Sequence, residues 1–451
     1  MFSWLLARHT GGQFILRIED TDTARTVPGA VDAVIEGFKW LGLDIDEGPE
    51  IGGVYGPYFQ TQRRDLYLRY ADELIEGGHA YRCFCTPERL QRVREEQRAR
   101  NEPPRYDRHC RRLSATEIAE RLTPGQGYTV RLASPTSGKT AVKDILRATD
   151  IVFDNASLDD PVLLKSNGFP TYHLAHIVDD HLMRVTHVLR AEEWISSAPL
   201  HVIIYQALGW AAPVFAHVPD VLAAQGGKKL SKRFGALPLL EYRERGYLPD
   251  AIVNYMALLG WSYDDKSTTL TREQLVEAFD LDRVGVAPAR YDEERLLWFN
   301  GYYIRQLSPE ALTAHALPFL ERGEAVGGLP DSVARPLDRA HATRVLLLEQ
   351  ERMKTLAEAP GMTAFFFTDA LDYEPQALIA KNMVAQSALD GLRRARVTLA
   401  ELGGWEASEM EARLRELVAE LGLKPVQLFT SMRVAVTGRT VSPPLFETME
   451  V

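Results

Sequence analysis

At 451 residues the chain is long enough for two to four domains with cores of their own. Its 45% hydrophobic and 25% charged content is that of an ordinary soluble globular protein, and no apolar run is long enough to span a bilayer. The net charge of −10 argues against a non-specific nucleic-acid binder, so any such binding must use local basic surface. Three cysteines are too few for an extracellular disulfide framework, which points to a reducing cytoplasm. Met1 to Arg8 lacks the basic leader and cleavage site of a signal peptide.

Phe2 to Arg8 has the apolar spacing of a helix, broken by His9-Thr10-Gly11-Gly12. Gln13 to Ile18 suits a buried strand and runs into Glu19-Asp20-Thr21-Asp22. Acidic and hydroxyl groups at a strand's carboxyl end stand where open α/β sheets bind ligands, although the same residues are good helix caps. Amphipathic helices are expected over Ala30–Leu41 and Arg63–Gly77. Cys83-Phe84-Cys85 precedes a charged helix that reaches Arg100. From Arg89 to Arg112 nine arginines face four acids, a local net charge of +5. With Cys110, the cysteines resemble a zinc knuckle of unusual spacing, or else a small core of reduced thiols. Strands are expected over Tyr128–Leu132, Ile145–Phe153 and Val162–Lys165, making residues 81–165 a β-rich insertion.

A helix from Phe169 to His176 places Tyr172 and His176 on one face. The strand-like run Val185–Arg190 ends in an arginine able to grip a carboxylate in a bidentate fork. Residue by residue, half-buried core positions for Tyr172 and His176 and a structural ion pair for Arg190 are the favoured account of these groups. Gly226-Gly227 then opens the basic run Lys228-Lys229-Leu230-Ser231-Lys232-Arg233, a loop whose ammonium groups could gather on a polyphosphate. Taken alone, such a run is more often a solvated loop or a generic nucleic-acid patch. Beyond Leu307-Ser308-Pro309-Glu310 the pattern is amphipathic helix out to Leu423, with a domain boundary near Ser308.

The order Arg17-Ile18-Glu19-Asp20-Thr21-Asp22, Tyr172-His173-Leu174-Ala175, Val178-Asp179-Asp180-His181, Arg190-Ala191-Glu192-Glu193-Trp194, Lys229-Leu230-Ser231-Lys232-Arg233 resembles bacterial glutamyl-tRNA synthetases, a class I family, over nearly the whole chain. The resemblance implies an α/β protein. Its Rossmann-like catalytic domain (1–80 and 166–222) is split by an α+β acceptor-stem-binding insertion (81–165). A connecting domain (223–307) carries the basic loop, and an all-α anticodon-binding region (308–451) follows. It implies ligation of L-glutamate to tRNA(Glu) through a glutamyl-adenylate, with ATP as substrate, Mg2+ on its phosphates and a monomeric cytoplasmic enzyme. Glu19, Tyr172, His176 and Arg190 match glutamate-binding positions, with Arg190 on the side-chain carboxylate; His176 stands where well-known members have Asn. Glu193, Trp194 and Leu222 match positions near the adenosine. Lys232, with Ser231 and Lys229, matches the signature loop on the ATP phosphates, the two lysines being the catalytic pair. Cys83, Cys85, Tyr106 and Cys110 match the Zn2+ pattern of some relatives. Arg112 stands where others have a fourth-ligand His, leaving Tyr106 or His109.

The family's first signature, a His-x-Gly-His-like motif, would lie upstream of Phe2, and a misassigned start is expected to account for this. Two other readings stay open: a tRNA-binding protein disabled by loss of that motif, and a glutamyl-queuosine tRNA synthetase-like enzyme. The helical residues 308–451 argue against the second.

Overall fold

The computed structural model describes residues 1–22, 28–123, 127–224, 226–231, 237–264 and 266–451. The chain forms two compact units, Met1–Ala236 with Val253–Tyr291, and Leu237–Ile252 with Asp292–Val451.

The first unit opens with the helix Phe2–Thr10, closed by Gly11 at φ +66°, whose N–H reaches back to the last carbonyls. The expected strand over 13–18 is not a regular one. The segment is extended, but it makes only single parallel bridges, Ile15 to Glu47 and Ile18 to Phe59. Its neighbours are irregular loops that each offer a residue or two, and the Phe14 N–H is taken by the Asp46 carboxylate. The helix Ala30–Leu41 lies where its apolar spacing predicts. A 3-10 turn, Gln60–Arg63, leads into the helix Arg64–Glu76.

In the middle region Ala80–Cys83, Thr129–Leu132 and Val162–Leu164 form an antiparallel sheet with Thr129–Leu132 central. Lys139–Val142 and Ile151–Asp154 form a separate antiparallel ribbon. The strand expected from Ile145 therefore starts only at Ile151. Asp144 accepts hydrogen bonds from the Leu146 N–H and Arg147, which closes a turn in its place. The strand Lys139–Val142 alternates exposed and buried residues, a pattern too short to stand out in sequence.

The helix Tyr172–Leu182 begins after Pro170 and runs through Asp179-Asp180, a turn further than its apolar pattern predicts. The strands His187–Ala191 and Val214–Val218 pair in parallel, joined through the helix Ala198–Ala207. Asp144 bridges to Phe215 in parallel. Tyr67, Leu132, Leu163, Leu174, Ile177, Ile204 and Phe215 share one core, so this sheet and the insertion are packed together. Each fully buried aliphatic there contributes roughly 1.5–3 kcal/mol.

The second unit is helical throughout its described residues, from Leu239–Glu244 and Glu293–Arg305 to Leu445–Glu450. Ser308 caps the helix Pro309–Leu320, accepting from the Ala311 N–H at 3.2 Å with Pro309 at the first position. Buried Asn300 accepts from the Leu248 N–H at 2.7 Å and donates to the Lys354 carbonyl at 2.6 Å, tying three segments together. Among the described residues no helix is long and apolar enough to cross a membrane.

Candidate active site

Arg190 is the next-to-last residue of its strand, and the register pairs it with His217 on the parallel neighbour. Paired residues of parallel strands project to the same side, so both side chains meet at the carboxyl ends, where such sheets bind ligands. Arg190 Nε donates to His217 Nε2 at 3.0 Å, and Nη1 lies 3.0 Å from His201 Nδ1. His217 Nδ1 lies 2.7 Å from Asp144 Oδ2, both groups fully buried. Burial opposes the Asp144 charge, but hydrogen bonds from His217 and from the Leu146 and His217 N–H groups outweigh it and hold the carboxyl below its usual range. Among the described residues no acidic side chain pairs with Arg190, and its buried Nη2 has no hydrogen-bond partner. Burial accordingly pulls Arg190 below the usual guanidinium value, though it stays a cation.

Aromatic rings wall this guanidinium. Its carbon lies 5.9 Å from the Trp194 ring centre and 5.4 Å from that of Phe215. Tyr172 stacks on His176 with centroids 4.3 Å apart, and also packs against Trp194. The Tyr172 hydroxyl approaches Arg190, yet Nη2 stays unpartnered. His176 is 2% exposed. Its Nδ1 lies 2.6 Å from the Tyr172 carbonyl, which can only accept, so Nδ1 carries the proton and Nε2 is a buried acceptor without a donor. Burial pushes His176 down to about 3. His201 lies well below the ordinary range for the same reason.

Glu19 lies beside this pocket and accepts from Arg17 Nη2 at 3.2 Å. Arg17 also donates to Asp180 at 2.8 Å. Fully buried Asp179 receives Arg63 at 2.7 Å, Tyr67 at 2.8 Å and Gln60 at 2.9 Å. Two carboxylates near a helix's carboxyl end oppose its dipole, and these donors offset that cost. A cavity of about 700 Å³ opens on the Glu19 side, lined in part by Ser3, Thr10, Arg17, Glu19, Asp180 and Leu189 but not by Arg190, Tyr172, His176 or Trp194.

The basic loop folds back as a hairpin. Gly226 and Gly227 take φ of +79° and +60°, a left-handed turn that side chains disfavour. Lys229 then bridges to Leu222, and the Leu230 N–H donates to the Val221 carbonyl. Lys229 Nζ pairs with Glu193 at 2.6 Å and Asp220 at 3.0 Å. Three of the residues matched to ATP contacts, Lys229, Glu193 and Leu222, are thus brought together. Ser231 is exposed at the end of the described loop, and Lys232 lies outside the described residues.

The cysteine cluster is a separate centre in the insertion. The sulfurs of Cys83, Cys85 and Cys110 all lie within 4.8 Å of one another. Cys83 donates to the Tyr106 hydroxyl at 3.3 Å, and Cys85 Sγ lies 3.4 Å from it. Tetrahedral Zn–S bonds near 2.3 Å place sulfurs roughly 3.8 Å apart, so the three thiols and the phenol fit a zinc ion. His109 is exposed and contributes no nitrogen to the cluster. The hydrogen bonds shared within the cluster pull Cys83 down and push Cys85 up, so without a cation the thiols do not ionise together.

The family described as "tRNA synthetases class I (E and Q), catalytic domain" matches residues 1–298, and "Anticodon binding domain" matches residues 311–451. The chain belongs to the class I tRNA synthetases. Curated "Glutamate--tRNA ligase" proteins of Roseiflexus castenholzii and Dehalococcoides mccartyi (strain CBDB1) are 49% and 47% identical, over all of this chain and 89% and 90% of theirs. A crystal structure of a glutamate tRNA ligase from Elizabethkingia meningosepticum, in complex with its amino acid, aligns with a TM-score of 0.88 at 33% identity, covering all of this chain and 91% of that one. The mixed α/β unit and helical carboxyl-terminal unit are the architecture of this synthetase family.

Sequence reasoning missed the groups packed around Arg190 and Arg17: Asp144, His173, His201, His217 and the Arg63–Asp179 pair. The available signal was a lone polar residue inside an apolar run, as His217 is in Val214–Val218 and His201 in Ala198–Ala207.

Proposed function

We propose that this synthetase joins L-glutamate to tRNA(Glu) in two steps. The α-carboxylate attacks the α-phosphorus of ATP, giving glutamyl-adenylate and pyrophosphate. The terminal ribose hydroxyl of the tRNA then attacks the acyl carbon and AMP leaves. The observation that carries this reading is Arg190, a buried guanidinium with no acidic partner among the described residues and with Nη2 unpaired. A buried cation without a counter-ion is costly, and a substrate carboxylate completes it. Glutamine, which lacks the charge, does not.

In this reading Glu19 holds the amino group, and Tyr172 and Trp194 wall the side chain. Nε2 of His176 accepts from a substrate N–H. Glu193, Trp194 and Leu222 border the adenosine, and Lys232, Lys229 and Ser231 meet the phosphates with Mg2+. Lys229 exchanges Glu193 and Asp220 for phosphate oxygens. Cys83, Cys85, Cys110 and Tyr106 hold a zinc ion that orders the insertion (81–165), whose arginines face the acceptor stem. Residues 308–451 read the anticodon. The enzyme works as a cytoplasmic monomer.

ATP–pyrophosphate exchange with tRNA present, on this chain and on one extended upstream, tests the reading. Exchange dependent on glutamate and indifferent to glutamine is expected. Equal exchange with both amino acids, or none in either chain, would overturn it.

A further inference from the structure

The unusual feature of this pocket is what holds Arg190. Arginine only donates, so each contact fixes the partner's proton. His217 Nε2 accepts from Arg190 Nε at 3.0 Å, so its proton is on Nδ1, aimed at Asp144 Oδ2 at 2.7 Å. His201 Nδ1 accepts from Arg190 Nη1 at 3.0 Å, so its proton is on Nε2, which lies 3.0 Å from His173 Nδ1. The whole line Asp144–His217–Arg190–His201–His173 then has one self-consistent set of tautomers, in which all three imidazoles are neutral. His201 and His217 are fully buried.

We infer that His201 and His217 are positioning residues that hold Arg190 through neutral acceptors instead of a carboxylate, so that its whole charge is kept for the ligand's carboxylate. This rests on the reading that Arg190 receives the glutamate side chain. A glutamate or aspartate at either position would fix the guanidinium equally well in space. It would also neutralise it, and the selectivity for a carboxylate over a carboxamide would go. Asp144 completes the device from one ring away: it sets the His217 tautomer without touching the guanidinium. Nη2, with no protein partner, is the donor left for the ligand.

Two measurements test this. The first needs no ligand: NMR of the full chain with 15N-labelled histidine at pH 7. Neutral His217 protonated at Nδ1 and neutral His201 protonated at Nε2 are expected. An imidazolium at either position, or the opposite tautomer, would overturn the inference. The second compares Kd for glutamate and for glutamine by calorimetry in the wild type, His201→Gln and His201→Glu. Gln supplies the same acceptor and donor without charge; Glu adds the counter-ion. The preference for glutamate should stay within about threefold in His201→Gln and fall by about thirtyfold or more in His201→Glu. Equal loss in both variants would reduce His201 to a packing residue and sink the inference, while leaving the substrate reading intact. Wild-type protein that shows the neutral tautomers but binds no glutamate would overturn the substrate reading, and the ligand half of this inference with it.

Discussion

Arg17 and Arg190 both sit near the carboxyl end of an extended segment in the first unit, and both are largely buried. Their surroundings are opposite. Arg17 meets Asp180 at 2.8 Å, Glu19 at 3.2 Å and Asp179 at 3.7 Å. Arg63 beside it is paired with Asp179 at 2.7 Å. Arg190 has two imidazoles and an unpartnered Nη2. Each guanidinium leaves one buried nitrogen without a hydrogen bond, Nε in Arg17 and Nη2 in Arg190, so the difference lies in the counter-ions. A buried arginine ringed by carboxylates supports the fold; one whose counter-ion is missing stores affinity for an anion that arrives from outside.

Breaking each kind should therefore have separate consequences. Removing one partner of a buried pair strands the other charge, so Arg63→Ala should lower stability by about 3–5 kcal/mol. Arg190→Ala removes a cation that had no counter-ion, so its melting temperature should hold. It should instead lose most of its preference for glutamate over glutamine, an effect of several kcal/mol as for other buried bidentate pairs. Thermal melts and pyrophosphate-exchange assays on both variants decide. An Arg190→Ala protein that melts early but still prefers glutamate would erase the distinction.

The loop lysines sharpen the same contrast. Lys229 is already paired with Glu193 and Asp220. In the proposed reading Lys232 meets the ATP phosphates, and its loss should slow adenylate formation by roughly 3–4 kcal/mol, or a few hundred-fold. Transfer from preformed adenylate should suffer far less, because pyrophosphate has already left. Lys229→Ala should cost less in the first step, since its contacts are exposed and screened. Equal slowing of both steps in Lys232→Ala would make the loop a tether for phosphate or RNA.

The cysteine centre is the converse of Arg190, an electron-rich donor set that a cation would complete. One zinc per chain is expected by elemental analysis of protein purified without chelator. Its removal should destabilise the insertion by about 2.7 kcal/mol where free metal stands a hundredfold above Kd. Cys110→Ser should abolish the metal, while His109→Ala should leave it, since His109 stands outside the cluster. Metal-free protein with an unchanged melt would mark a core of reduced thiols.

How much of this was legible in sequence follows from where each contact comes from. Glu19, Tyr172, Arg190 and the lysine loop sit in short runs whose order carries meaning by itself. Helices such as Ala30–Leu41 follow from local periodicity. The cradle of Arg190 does not. His217 is 27 residues from Arg190 and 73 from Asp144, and only the parallel register and the Asp144–Phe215 bridge bring them together. The fourth position of the cysteine cluster was ambiguous for a similar reason. A left-handed backbone at Arg108, φ +57°, separates Tyr106, which faces the sulfurs, from the turn His109–Arg112, whose His109 is exposed, and spacing alone cannot report that.

The smallest expected effect concerns the histidines that keep the Arg190 pocket neutral. Burial, with lesser help from Arg190 and Arg17, pushes His176 down to about 3, against an opposing hydrogen bond to the Tyr172 carbonyl. In the unfolded chain the same group titrates near 6.5. Between those values the unfolded state binds a proton that the folded state refuses. Stability is therefore full above pH 6.5 and falls as the pH drops towards 3, by roughly 1.4 kcal/mol per unit for this residue. His201 acts in the same direction. Asp144, held below the carboxylate range, loses its contribution only at lower pH, so it does not blur the window. Melts at pH 7.5 and 5.5 on wild type and His176→Asn isolate the term. The variant should lose less stability on acidification, by about 1.4 kcal/mol, because an amide does not titrate. Identical pH slopes in the two proteins would mean that His176 is hydrated or already protonated in the fold, and the neutral character of this side of the pocket would go with it.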